Sequence, residues 1–179
     1  MNALGTGGRT VPAEWIDYNG HMMDGYYCVA FAEATEAFLE HVGFGAAYRE
    51  ETGSSIYTAE GHLCYFKSVR SGEQLHFATQ LLGADAKRMH VFHRMTEADS
   101  GDEVATNELM FLHVDIATER VTPMPPARRS AVEALAAEHA ALPVPSQAGR
   151  SVAMPRRLVS WCRSVGEARP RRAVPRAPT

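Results

Sequence analysis

The chain has 179 residues, 45% of them hydrophobic and 22% charged, with a formal net charge of -3. That length suits one compact domain with a tail, able to bury most of its apolar surface without disulfide or metal staples. The slight negative balance gives no ground for a nucleic-acid partner, and no stretch approaches the roughly 20 apolar residues of a membrane helix.

Taken in order, residues 1–9 open with the glycine-rich run MNALGTGG and read as a disordered N-terminus. Arg9 to Ile16 is a short run expected to form a strand ending at Trp15–Ile16. The polar segment DYNGHMMDG follows, with glycines at 20 and 25. From Asp24 to about Val42 the pattern turns helical. Tyr27, Ala30, Phe31, Ala34, Phe38 and Val42 recur at three- and four-residue steps and mark one apolar face. Asp24 is the expected N-cap and Gly43 the expected C-terminal stop. A shorter helix is expected over Gly45 to Glu51.

Four long strands follow. SIYTAEGHLCYFKSV is β-rich. GEQLHFATQLLG places Leu75, Phe77, Thr79 and Leu81 on one side, and KRMHVFHRMTEA does the same with Met89, Val91, His93 and Met95. DEVATNELMFLHVDI completes the set. The turns between them are short, so they are expected to be antiparallel neighbours. Arg128 to Ala141 reads as a terminal helix, with Val132, Leu135 and Ala136 on its apolar face. Residues 10–150 thus form one domain of α+β class, an antiparallel sheet wrapped around one long helix. Residues 151–179 form a basic Pro/Arg-rich tail, expected to be largely disordered. From Arg150 onward there are eight arginines (150, 156, 157, 163, 169, 171, 172, 176) against one acid, Glu167.

Three cysteines (28, 64 and 162) with no C-x-x-C spacing support neither a disulfide framework nor a zinc knuckle. They point to a reducing, cytoplasmic setting. The opening MNALGTGGRT lacks an apolar h-region, so a secretory leader is not expected. Cys28 reads as a small buried residue. His90 and His93 fall on opposite faces of one strand and cannot share a metal. His62 and Cys64 share a face with Glu60, and side-chain packing is favoured there over zinc. No metal is expected.

WIDYNGHM, residues 15–22, concentrates the chemistry. Asp17, Asn19 and His21 alternate, so in extended chain they project to one side. They bring together a carboxylate that can act as base or nucleophile, an amide that can orient a substrate, and an imidazole that titrates near neutrality. The next helix start, at Asp24, Gly25 and Tyr26, offers unpaired N–H groups and a positive dipole end to a developing oxyanion. These parts suit acyl transfer to water. The same residue types also build strand-to-helix turns, so spacing alone leaves both readings open.

WIDYNGHM and the Tyr-containing helix after it resemble the hotdog-fold acyl-CoA thioesterases. GSSIYTAEGHLCYF, LLGADAKRMHVFH, LMFLHVD and AGRSVAMPRR extend the resemblance over roughly Val11 to Arg157. It is closest to the betainyl-CoA thioesterases found with, or fused to, L-carnitine dehydrogenase. The resemblance implies a hotdog fold and hydrolysis of a short-chain acyl-CoA, with betainyl-CoA in carnitine catabolism as the expected substrate. It also implies no cofactor beyond the coenzyme A of the substrate, and a homodimer or dimer of dimers. Asp17 would then be base or nucleophile, Asn19 and His21 would position and polarise the thioester, and Glu60 would assist. A non-catalytic acyl-CoA-binding hotdog protein and an acyl-ACP thioesterase are the alternatives. The family usually has asparagine where this chain has Met23, so an amide is lost at the helix start.

If the acyl group carries a trimethylammonium, aromatic residues near the motif are candidates for a cation–π cage, among them Trp15, Tyr18, Tyr27 and Tyr57. Lys67, Arg70, Lys87 and Arg88 are candidates for the CoA phosphates.

Overall fold

The computed structural model describes residues 3–154. Its strands are β1 (Leu4–Thr10), β2 (Ser54–Tyr65), β3 (Gln74–Ala84), β4 (Arg88–Glu97), β5 (Glu103–Asp115) and the short β6 (Arg120–Val121). Its helices are α1 (Asp24–His41), α2 (Ala46–Thr52) and α3 (Pro126–His139), with a 3-10 turn at Ala13–Trp15. The strands form one antiparallel sheet in the order β1-β3-β4-β5-β2, with β6 paired to β5.

The sheet curls around α1 because its period-two pattern puts large apolar groups on one face. Leu75, Phe77, Leu81, Met89, Val91, Met95 and Phe111 are buried there against Tyr27, Ala30, Phe31, Ala34 and Phe38 of α1. The alanines let the helix lie close to the strands. Phe31 and Phe38 are fully buried, and truncating either to alanine costs about 3–5 kcal/mol. α1 stops at Gly43, whose φ of 78° suits the left-handed position after a helix. Beyond the reach of β1, the edge of β3 is covered by α3, where His139 Nδ1 accepts the Leu81 N–H at 2.9 Å.

Several sequence expectations do not hold. The N-terminus is a strand: β1 pairs with β3 from Leu4–Thr79 to Thr10–Gln74. Its glycines serve close approach, since a Cβ on Gly8 would lie 2.8 Å from the Leu75 carbonyl oxygen. The strand expected to end at Trp15–Ile16 instead ends at Thr10. β3, β4 and β5 are neighbours as expected, but β2 pairs with β5, leaving residues 66–73 to cross from one side of the sheet to the other. The N-cap of α1 is Met23, one residue before Asp24, and it makes no side-chain cap bond. Cys28 is exposed. Of the expected tail, residues 151–154 are exposed and irregular; residues 155–179 lie outside the described residues.

Candidate active site

Residues 15–23 close on themselves as a tight hairpin. Ile16 bridges Met22, the Asp17 N–H donates to the His21 carbonyl at 2.9 Å, and Gly20 takes a φ of 77°. The crossover holds the hairpin against the helix start: the Met22 N–H donates to the Val69 carbonyl at 2.9 Å and Tyr27 Oη to the Lys67 carbonyl at 3.4 Å. These anchors use backbone carbonyls, so no side-chain signal in the sequence announces them.

At the tip, Asp17 Oδ1 accepts the Asn19 N–H at 2.8 Å and the His21 N–H at 3.5 Å, and Oδ2 accepts the Asn19 Nδ2 at 3.1 Å. Partial burial pushes the Asp17 carboxyl up, but these bonds and the His21 imidazole together outweigh it and hold the group below the usual aspartate value. Asp17 is thus both the knot of the turn and an ionised carboxylate near the start of α1. The motif's two readings, turn and reactive group, describe one arrangement.

The remaining sequence-derived residues divide sharply. Trp15 is buried beneath the Arg9 guanidinium, 4.2 Å over its ring, and stacks on Tyr26 at 4.9 Å. Arg9 does not stand out in the sequence, because its partner ring lies in the next element. Tyr27 is buried in the core. Trp15 and Tyr27 are both packed into the core here. Tyr18 is 98% exposed and touches little. The Tyr26 N–H donates to the Met23 carbonyl and the Gly25 N–H to Asp24 Oδ1, so these two oxyanion candidates are engaged within the turn.

Glu60 and Tyr57 are not brought to Asp17. A bulge between Thr58 and Glu60 sets the register, so that Tyr57 pairs with Leu112, Glu60 with Met110 and His62 with Glu108. All of these project from the outer face of the sheet, away from α1. Glu60 there borders a hollow with His62, His90 and Glu108 beneath Gly149–Ser151. His90 Nε2 pairs with Glu108 at 2.6 Å, and Glu108 also accepts the Gly149 N–H at 2.8 Å. Among the described residues, no group of three or more His, Cys, Asp or Glu is placed to hold a metal ion.

The four basic candidates do not form one phosphate site within a chain. Lys67 lies near Glu97, and Arg70 sits just before β3, whose Leu75 pairs with Glu97, whereas Lys87 and Arg88 are at the other end of the ten-residue β4, roughly 30 Å away at strand rise. Lys67 Nζ is tied to Asp102 at 2.8 Å, a hydrogen bond that raises its pKa, and Arg88 is tied to Asp85 at 2.6 Å.

One long helix in a curled antiparallel sheet, with a carboxylate turn at the helix start, defines the hotdog class. The Thioesterase-like superfamily model matches residues 11–161, and the chain belongs to that family. It is 41% identical over 142 residues to a betainyl-CoA thioesterase of Pseudomonas aeruginosa, covering 79% of this chain and 89% of that one. It is 40% identical to an L-carnitine dehydrogenase/betainyl-CoA thioesterase of Rhizobium meliloti, covering 82% of this chain but 29% of that longer protein. Among solved structures, it is similar to a Staphylococcus aureus protein determined in complex with CoA (TM-score 0.79, 26% identity, 87% of this chain and 98% of that chain). A putative thioesterase from Pseudomonas putida gives a TM-score of 0.74 at 31% identity, covering 87% of this chain and 99% of that chain.

Proposed function

We propose that the chain hydrolyses the thioester of a short acyl-CoA, betainyl-CoA above others, as a step in carnitine breakdown in the cytoplasm. The observation that carries this reading is the ionised Asp17 held near the start of α1. The substrate carbonyl lies between Asp17 and the helix start, where the Asp24 N–H and the positive end of α1 stabilise its oxygen. Asp17 either takes a proton from water as the water attacks, or attacks first and is released by water. The C–S bond breaks, CoA leaves as the thiol, and the free acid remains. In this reading His21 positions and polarises the thioester, and its imidazole can pass the proton to sulfur. Among the described residues, no helix is long and apolar enough to cross a membrane.

The working unit in this reading is a homodimer. Among the described residues β2 is a twelve-residue edge strand paired only with β5, and none of its residues is fully buried. An exposed edge of that length invites a second strand. Antiparallel pairing of two β2 strands brings the Tyr57 end of one chain to the Tyr65 end of the other.

A second reading, acyl-CoA binding without turnover, draws on the three hydrogen bonds that already engage Asp17. Measuring CoA release across an acyl-CoA panel separates the two. The hydrolase reading expects betainyl-CoA to give the highest kcat/KM. Tight CoA binding with no release from any acyl-CoA supports the binder instead.

A further inference from the structure

In a betainyl group the quaternary nitrogen lies two single bonds, roughly 2.5 Å, from the carbonyl carbon under attack. Whatever reads that charge must border the start of α1, where the carbonyl is held. A trimethylammonium has no N–H to donate, so it is recognised by aromatic faces and carboxylates.

Most rings near the helix start are committed to packing. Trp15, under Arg9, stacks on Tyr26, and Tyr27 is buried. Tyr65 differs. It projects from the inner face of β2, and its Oη donates to the Asp24 carbonyl at 3.5 Å. Its ring meets Tyr27 edge-on at 5.0 Å, yet the residue is 45% exposed. The Asp24 carboxylate is exposed close by, accepts only the Gly25 N–H, and has no cationic partner among the described residues. An open ring and an uncompensated carboxylate thus flank the first turn of α1.

We propose that Tyr65 and Asp24 form the subsite that reads the cation of the acyl group. This rests on the betainyl-CoA reading above and adds the residues that set its selectivity. The Tyr65 ring supplies the π face, Asp24 supplies the charge, and Tyr27 fixes the ring.

The test compares betainyl-CoA with 3,3-dimethylbutanoyl-CoA, in which carbon replaces the nitrogen at equal size. The measured quantity is the ratio of the two kcat/KM values within each variant, so the amount of folded enzyme cancels. Wild type is expected to favour betainyl-CoA. Tyr65→Leu should lower the ratio about tenfold, Tyr65→Phe should keep it, and Asp24→Asn should lower it about threefold. Asp24 is exposed and its substitution isosteric, so that arm stands if Tyr65→Leu does not fold. A selective wild type whose ratio survives in every folded variant, Asp24→Asn included, overturns the subsite and leaves the substrate reading intact. A wild type that hydrolyses only the neutral thioester overturns both.

Discussion

Asn19 donates to Asp17 twice, through its backbone N–H to Oδ1 at 2.8 Å and through its amide to Oδ2 at 3.1 Å. Both bonds favour the ionised carboxylate, so in the proposed mechanism Asn19 acts through the charge state and aim of Asp17. The acid limb of wild-type kcat/KM that reports Asp17 should therefore lie below the usual aspartate range. Asn19→Ala removes one of the bonds, so the limb should move to higher pH. A limb that stays in place would show that Asn19 does not tune Asp17.

Met23 caps α1 with extended backbone but no side-chain hydrogen bond. An asparagine there would accept an N–H of the first turn. Met23→Asn should therefore stabilise the fold by about 1 kcal/mol, raising Tm by roughly 2–4 °C. Thermal melts of the two proteins check this, and an unchanged or lower Tm contradicts it.

His93 lies buried between the two halves of the core. Its Nδ1 meets Thr79 Oγ1 at 2.7 Å, its Nε2 meets Thr35 Oγ1 at 3.1 Å, and Thr79 reaches Thr6 at 2.9 Å. Burial pushes its pKa down to about 4 from 6.5. As pH falls, the unfolded chain takes up this proton first, so stability is full above about pH 6.5 and is lost as pH falls toward 4. That loss is of order 3 kcal/mol. Burial pushes His139 down as well, which adds to the loss. Urea unfolding at pH 7 and pH 4.5 should show the drop in wild type and a smaller one in His93→Gln. Equal drops in the two proteins would place the effect elsewhere.

Ala59 occupies the bulge of β2 and is exposed in the single chain. Two lysines placed there would lie close together near the middle of a β2–β2 pair. Ala59→Lys should weaken the dimer at least tenfold without unfolding the chain, as read by light scattering across a dilution series. A wild type that is monomeric at micromolar concentration would remove the proposed dimer.

The helix and the central strands are legible in the sequence because their periods are clean. The step from Tyr27 to Phe38 and the alternation from Leu75 to Leu81 each match one buried face. β1 is not legible, because its partner lies some 70 residues away and its glycines look like disorder when read locally. Glu60 falls on the unexpected face for a related reason. No residue of β2 is fully buried, so its pattern does not say which side meets the core. Asp17, Asn19 and His21 are legible as a cluster, but their mutual hydrogen bonds depend on Gly20 turning the chain back.

The central claim is that the Asp17 carboxylate performs the hydrolysis, and CoA release from betainyl-CoA by wild type and Asp17→Asn tests it most directly. The asparagine keeps the shape of the turn but cannot take a proton or attack. Turnover is expected to fall by roughly two to four orders of magnitude, with an unchanged thermal melt. Equal rates for the two proteins would contradict the claim.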